Sequence, residues 1–414
     1  MNYNICFLTL MKHSQISYTA LGNTTEFAFN KYIVYRMPAL KYIKQLDSIR
    51  AIAVILVLVW HWLPKESYFN VVRTGPFGVT VFFVLSGFLI TRILLDNRDE
   101  AEEYNHSLGT VIRSFYIRRV LRIFPAYYFT LLLVIVLHDH LQIPLLPGEL
   151  FANLTYTSNF YVFNIKTWPT LTPHFWSLAV EEQFYLVWPL AILFLPKRLV
   201  PFLIIIFIGT GIFSQFLASD PEFSYVLPQT CLDSLGMGGL LAWIVVTKPG
   251  YLKKAYLVLN IAATLGLLVM ILDWCGIEFY HQWRILYSIF GTWIICYILV
   301  HQQKRNIILS ILNNSVLIAI GRVSYGIYLY HVLFFYLFYY RTINVFYHYL
   351  PFVPENYFPY LFFLVDFWVL YFLCKLSWYI LEKPVLDLKR YFIYNKPASD
   401  TDKAMSKRSI NTAS

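Results

Sequence analysis

About ten stretches of roughly twenty mostly apolar residues follow one another along the chain, separated by short polar connectors. This constrains the fold more than any other feature. A segment of that length can satisfy its backbone inside lipid only as a helix or as part of a closed barrel, and these runs have helical lengths. They fall at roughly 46–64, 78–95, 121–138, 175–195, 199–218, 229–247, 255–273, 282–300, 323–341 and 359–381. The stretch 306–320 is apolar but short and interrupted by Asn, which suits a surface helix or an extension of the ninth span. Only 14% of the 414 residues are charged, against about 25% in soluble domains. The expected fold class is therefore all-α, a polytopic membrane bundle of about ten transmembrane helices.

The connectors set the orientation. One set gathers Lys41, Lys44, Arg92, Arg98, Arg113, Arg118, Arg119, Lys197, Arg198, Lys248, Lys253, Lys254, Lys304, Arg305, Lys383, Lys389 and Arg390. The other holds Lys65, Arg73, Lys166, Arg284 and Arg341. Positive-inside bias then puts both termini in the cytoplasm and the protein in the inner membrane as a multi-pass chain. It also accounts for the formal charge of +10. The basic residues form no stripe interleaved with aromatics, so a nucleic-acid partner is not expected. Cys6, Cys231, Cys275, Cys296 and Cys374 show no C-x-x-C spacing and read as small apolar fillers. No metal site is expected.

Three segments divide the chain: an N-terminal extension over 1–45, a transmembrane domain over 46–384, and a flexible basic tail over 385–414. Residues 1–36 lack a long apolar run, and Met37 opens a short basic stretch that suits a true start. The longest outer connector, about 139–173, is rich in Asn, Thr, Tyr and Pro and suits an acceptor site or a lid.

Ionisable residues in spanning segments are costly, and they are the first place to look for chemistry. Arg50 and His61 are eleven residues apart, about 16 Å along one helix and within about 20° of a common face. The plain alternative is a snorkelling Arg50 and an interfacial His61 between Trp60 and Trp62. Arg119 and Arg122, in RRVLRIFPAYY, share a face at the entry to the third span. Paired guanidiniums suit a grip on phosphates, and equally a positive-inside anchor. In HFWSLAVEEQFYLVWP, the residues His174, Ser177, Glu181 and Tyr185 form one polar stripe, with Glu182 off its line. Asp233 and His331 stand singly in spans six and nine, His331 after Arg322, Ser324 and Tyr325.

These residues sit in stretches that resemble the acyltransferase-3 family, bacterial membrane O-acyltransferases that acylate cell-surface sugars. The stretches are LDSIRAIAVILVLVWHW (46–62), FGVTVFFVLSGFLI (77–90), RRVLRIFPAYY (118–128), HFWSLAVEEQFYLVWP (174–189), DSLGMGGLLAW (233–243), GRVSYGIYLYH (321–331) and LEKP (381–384). They follow the family's order. Thr80 departs from it, because many members carry an acid there. The sequence stops soon after the last span, without the hydrolase-like domain that some members append, so transfer is expected within the membrane part or with a partner.

The resemblance implies acetyl-CoA, or another acyl-CoA, as donor from the cytoplasm and a carbohydrate or glycolipid hydroxyl as outer acceptor. Arg50, Arg119 and Arg122 would bind the donor. His61 would act as base or as a transient acyl carrier, with Glu181 orienting a histidine and His174 in reserve. Ser177, Glu182, Tyr185, Asp233 and His331 would support the substrates. Buried charge among ten spans equally suits a transporter or flippase for an exported glycan. A membrane-bound O-acyltransferase of the separate lipid- or protein-modifying type fits less well with the Arg50–His61 pair.

Overall fold

The computed structural model describes residues 42–67, 69, 73–218, 220–275, 283–302 and 306–392. Cys6, the Met37 start, the extension before residue 42 and the tail after 392 lie outside the described residues, as do Lys304 and Arg305. The described chain is helical apart from its connectors. In order it runs α1 (Lys44–Trp62), α2 (Thr74–Glu103), α3 (Leu108–Leu137), α4 (Glu149–Leu154), α5 (Ser158–Ile165), α6 (Phe175–Phe194), α7 (Val200–Phe216), α8 (Leu232–Thr247), α9 (Leu252–Trp274), α10 (Trp283–His301), α11 (Ile307–Leu312), α12 (Ser315–Arg322), α13 (Ser324–Tyr349) and α14 (Phe358–Ser377).

Among the described residues, nine helical stretches are long and apolar enough to cross a membrane. A tenth crossing appears when α12 and α13, bent by 71° at Val323, are taken as one broken span. The second half of the stretch 306–320 thus joins the ninth span as its bent extension. The stretch as a whole forms α11 and most of α12, each started by an Asn whose side chain accepts from backbone N–H groups, Asn306 from Leu309 and Asn314 from Val316. Gly321 lets α12 lie on the backbone of α1, where a Cβ would stand 1.8 Å from the Asp47 carbonyl oxygen.

The centre of the bundle is α2, the most buried of the spanning helices, seated against α8. Small residues permit this seam. A Cβ at Gly87 would lie 2.0 Å from the Leu235 carbonyl oxygen, and one at Gly238 would lie 2.1 Å from that of Val84. Close backbone approach through glycine is how spanning helices gain contact when lipid is as apolar as their side chains. The glycines of DSLGMGGLLAW therefore serve packing. At the periphery, α9 turns Leu257, Val258, Ile261, Leu265 and Leu268 outward, and α7 does the same with Phe202, Ile205, Ile206 and Phe213. Rings of exposed apolar side chains on this scale need lipid as their solvent.

At 30 residues each, α2 and α3 are about 45 Å long, more than the roughly 30 Å hydrocarbon layer requires. Their excess carries charge at the basic end. The Arg98 guanidinium donates to the Ile192 and Leu195 carbonyls, both at 2.7 Å, and so caps the C-terminus of α6. Lys197 bridges Asp99 at 2.5 Å and Glu102 at 2.7 Å.

The connector 139–173 carries two short helices, α4 and α5. Its helices α4 and α5 tuck between α3 and α6. Gln183 donates to the Tyr156 carbonyl at 2.8 Å and to the Asn159 side chain at 3.0 Å. Gln183 is nine residues beyond His174, so the connector dips about 13 Å down α6. Glu149, Thr172 and Asn153 bind one another along its base, where the Tyr127 hydroxyl donates to the Asn153 carbonyl at 2.7 Å. At the far end, the chain past Pro384 stays helical through Phe392, so the first eight residues of the expected tail are structured.

Candidate active site

Three helices bring three imidazoles together at the end of the bundle opposite the Lys/Arg-rich connectors. His61 comes from the last turn of α1, His174 immediately precedes α6, and His331 lies two turns into α13. His331 is central: its ring lies 4.9 Å from that of His61 and 4.6 Å from that of His174, centroid to centroid. The Trp62 indole N–H donates to the His331 carbonyl at 3.1 Å and ties α1 to α13. His331, a lone residue in the sequence, is thus the hinge of the group.

The backbone selects the tautomers. His331 Nδ1 is 2.7 Å from the Tyr328 carbonyl, and His174 Nε2 is 3.2 Å from the Leu329 carbonyl. A carbonyl can only accept, so each of those nitrogens carries the proton. The opposite nitrogens, His331 Nε2 and His174 Nδ1, are buried with no hydrogen-bond partner. In these neutral tautomers both are bare lone pairs.

Below the imidazoles, the Ser177 hydroxyl donates to the His174 carbonyl at 2.9 Å and meets the Tyr328 hydroxyl at 2.5 Å. Tyr328 also donates to the His174 carbonyl at 3.3 Å. Tyr328 stands in electrostatic reach of the next group down, Glu181.

Glu181 does not orient a histidine. Ser86 donates to its Oε1 at 2.8 Å and Tyr185 to its Oε2 at 3.2 Å, while Tyr185 also donates to Ser86 at 3.0 Å. The reason is depth. Seven residues separate Glu181 from His174, about 10 Å of helix, so a shared face does not make a shared contact. The carboxylate instead faces Arg119, which lies over the Tyr185 ring at 5.0 Å and within electrostatic reach of Glu181, Glu182 and Arg50. Arg122 joins the same group, in reach of Arg50 and Arg119. The Arg50 guanidinium donates to Asp47 at 2.7 Å, and Tyr42 donates to the other oxygen of that carboxylate. The three predicted arginines therefore lie in mutual electrostatic reach, with Glu181 in reach of Arg119 and Asp47 bonded to Arg50.

Glu182 shares the reach of Arg119 and is also in electrostatic reach of Tyr127, Tyr128, Tyr156 and Tyr325. Tyr156 stacks on Tyr127 at 4.3 Å from the tucked connector. Both acids, the three arginines and His61 keep part of their surface accessible.

Asp233 belongs to a different cluster. It is fully buried, accepts from Ser288 at 2.8 Å, and lies in electrostatic reach of Arg284. Arg284 donates to the Thr230 and Tyr225 carbonyls and to Cys231 Sγ, and stacks 3.7 Å over Tyr225. Asp233 and Arg284 thereby join α8 to α10 away from the imidazoles, and Cys231 is an acceptor as well as a filler. Cys296 and Cys374 are buried and Cys275 is exposed. Among the described residues, no group of three or more His, Cys, Asp or Glu converges closely enough to hold a metal ion.

Ser86 and Tyr328 were missed by the sequence reading. Both lie inside quoted motifs, and a serine or a tyrosine in an apolar helix does not mark itself as a buried charge does.

The family model for an acyltransferase domain, Acyl_transf_3, matches residues 43–374. The chain is 32% identical over 318 residues to peptidoglycan O-acetyltransferase OatA of Listeria monocytogenes, covering 70% of this chain and 49% of that protein. It is 30% identical over 325 residues to O-acetyltransferase OatA of Staphylococcus aureus, covering 72% and 51%. The chain spans about half the length of these curated relatives. No solved structure matches it. The family match takes in every imidazole, carboxylate and guanidinium of the polar column, and the chain, a multi-pass protein of the cell membrane, belongs to the acyltransferase-3 family.

Proposed function

We propose that the protein is a membrane O-acyltransferase. It moves an acyl group, acetyl being the family's commonest, from cytoplasmic acyl-CoA to a hydroxyl of an exported carbohydrate. Peptidoglycan, the substrate in the name of the Listeria relative, is the first acceptor to test. The observation that carries this reading is the two-layer polar column. Guanidiniums of Arg50, Arg119 and Arg122 gather at one level, the imidazoles of His61, His174 and His331 at another, and Glu181, Tyr185, Ser177 and Tyr328 lie between.

The guanidiniums suit the phosphates of CoA, and the pantetheine arm spans the interval to the imidazoles. The acceptor hydroxyl attacks the thioester carbonyl, a C–O bond forms and the C–S bond breaks. The hydroxyl proton passes to an imidazole and then to the departing thiolate. His61 is the accessible member of the histidine group and takes the role of base or transient acyl carrier. His331 and His174, with their free ring nitrogens, relay the proton or hold the developing charge. Ser177 and Tyr328 fix the peptide that bears His174. Glu181 holds Arg119 in place, and Asp47 holds Arg50.

The test is covalent. Purified protein in vesicles receives labelled acetyl-CoA on one side and peptidoglycan fragments on the other. Labelled ester on the fragments, abolished by His61→Ala in protein that still inserts, supports the reading. Unchanged product from His61→Ala removes that histidine from the mechanism. Movement of glycan without ester formation would favour a carrier instead.

A further inference from the structure

The ninth span is broken, and the break leaves a helix start without partners. α12 stops at Arg322, the chain bends by 71°, and α13 begins at Ser324. The first N–H groups of a helix have no carbonyl of their own to bond, so a buried helix start normally finds a capping side chain. At α13 no side chain caps the start, and its first turn holds no acid. Within α13, Ile327 N–H is the first to be bonded, to the Val323 carbonyl at 3.1 Å. The N–H groups of Ser324, Tyr325 and Gly326 have no partner among the described residues. The Ser324 hydroxyl also lacks one there, although the residue is only 4% exposed. Buried donors left unbonded are costly, and here one helix end carries a set of them.

Two contacts place that end at the arginines. On one side Gly321 seats the bend on α1, where a Cβ would stand 1.8 Å from the Asp47 carbonyl oxygen. Asp47 is the residue whose carboxylate takes the Arg50 guanidinium at 2.7 Å. On the other side the Tyr325 hydroxyl donates to the Ile123 carbonyl at 3.1 Å, and Ile123 follows Arg122 on α3. The start of α13 thus lies between the helices that carry Arg50 and Arg122. Its aligned peptide dipoles add about half a positive charge there. The opposing dipole of α12 is short and ends on Arg322, a cation in its last turn. Free donors and a positive helix end suit a phosphate group, and neighbouring guanidiniums add to the fit. A broken span can present them inside a membrane bundle.

We propose that the N-terminus of α13 is the seat of the donor's diphosphate. The N–H groups of Ser324, Tyr325 and Gly326 and the Ser324 hydroxyl bind its oxygens, and Arg50 and Arg122 flank it from α1 and α3. The proposal rests on the donor reading above and gives the phosphates a backbone cradle beside the guanidiniums. A helix start that only marks a bend would be indifferent to anions.

The experiment follows hydrogen exchange of the full chain in a maltoside detergent, which brings no phosphate. CoA, and separately inorganic pyrophosphate, should slow exchange across 324–326 by about tenfold or more. Ser324→Asp should bind CoA about tenfold more weakly than Ser324→Asn, a neutral side chain of the same size. It should unfold no earlier than Ser324→Asn, because an acid suits a helix N-terminus, so the lost binding is not lost folding. If the variants do not fold, exchange in the wild-type protein decides alone. CoA that binds without slowing these amides, or binds both variants equally, overturns the proposal and leaves the donor reading standing. Protection by pyrophosphate but not by CoA keeps the anion seat and refutes the donor reading. Protection by added phosphatidylglycerol alone gives the seat to a lipid headgroup and overturns it as a donor site. Protection by none of the three refutes the seat outright.

Discussion

Replacing Tyr328 by Phe isolates the link between the two polar layers. The ring keeps its packing, with centroids 5.3 Å from His174, 5.7 Å from His331 and 5.9 Å from Phe82. Only the hydroxyl is lost, and with it the 2.5 Å contact to Ser177 and the 3.3 Å bond to the His174 carbonyl. Ser177 keeps its own bond to that carbonyl at 2.9 Å, so no buried donor is orphaned. Each bond is worth about 0.5–1.5 kcal/mol net, and the second is long, so the combined loss is about 1–2 kcal/mol. If the hydroxyl serves to hold His174 for the transition state, that loss falls on kcat/KM as roughly a five- to thirtyfold drop. Acetyl transfer to a glycan fragment is measured for Tyr328→Phe, Ser177→Ala and the double variant, alongside thermal unfolding in detergent. The two single effects should be strongly non-additive, because both act on one carbonyl. Additive effects, or full activity in Tyr328→Phe with normal unfolding, would refute the reasoning.

Arg98→Ala should lower the unfolding temperature in detergent, because it strips two charged hydrogen bonds, each worth about 1.5–3 kcal/mol, from the C-terminus of α6. Arg98→Lys should recover only part of the loss, since a single ammonium reaches both carbonyls less well. Gly238→Val places a side chain where even a Cβ meets Val84 at 2.1 Å, and the protein should fail to accumulate as a monodisperse species on gel filtration. Arg119→Ala with Arg122→Ala should raise KM for acyl-CoA about tenfold or more and leave insertion intact, read by steady-state kinetics on reconstituted protein. A parallel loss of folded protein would instead make the pair a structural anchor.

The helices were legible because apolar runs of spanning length leave the backbone few choices, and the connector charges gave them an order. His61, His174, Arg50, Arg119 and Arg122 were legible for the converse reason: each is a costly group in a greasy setting. What a single helix could not give was depth across helices. Glu181 shares a stripe with His174, yet its neighbours are Ser86 from α2 and Arg119 from α3. His331 looked isolated because its partners come from elements far away in sequence. The tucked α4–α5 connector was hidden by its polar composition, which reads as loop until Gln183 and Tyr127 supply its hydrogen bonds. The bend at Val323 had no proline to announce it, and it falls two residues after Gly321, which docks on α1.

The glycine-to-carbonyl contacts between α2 and α8 have a mechanical consequence. Two backbones in direct touch cannot slide past each other without a Cβ-free groove at every step, so this pair behaves as a rigid keel. Ser86, which holds Glu181, is mounted on that keel beside Gly87. Under the donor reading proposed above, the walls would stay standing and the thioester's flexible arm would do the travelling.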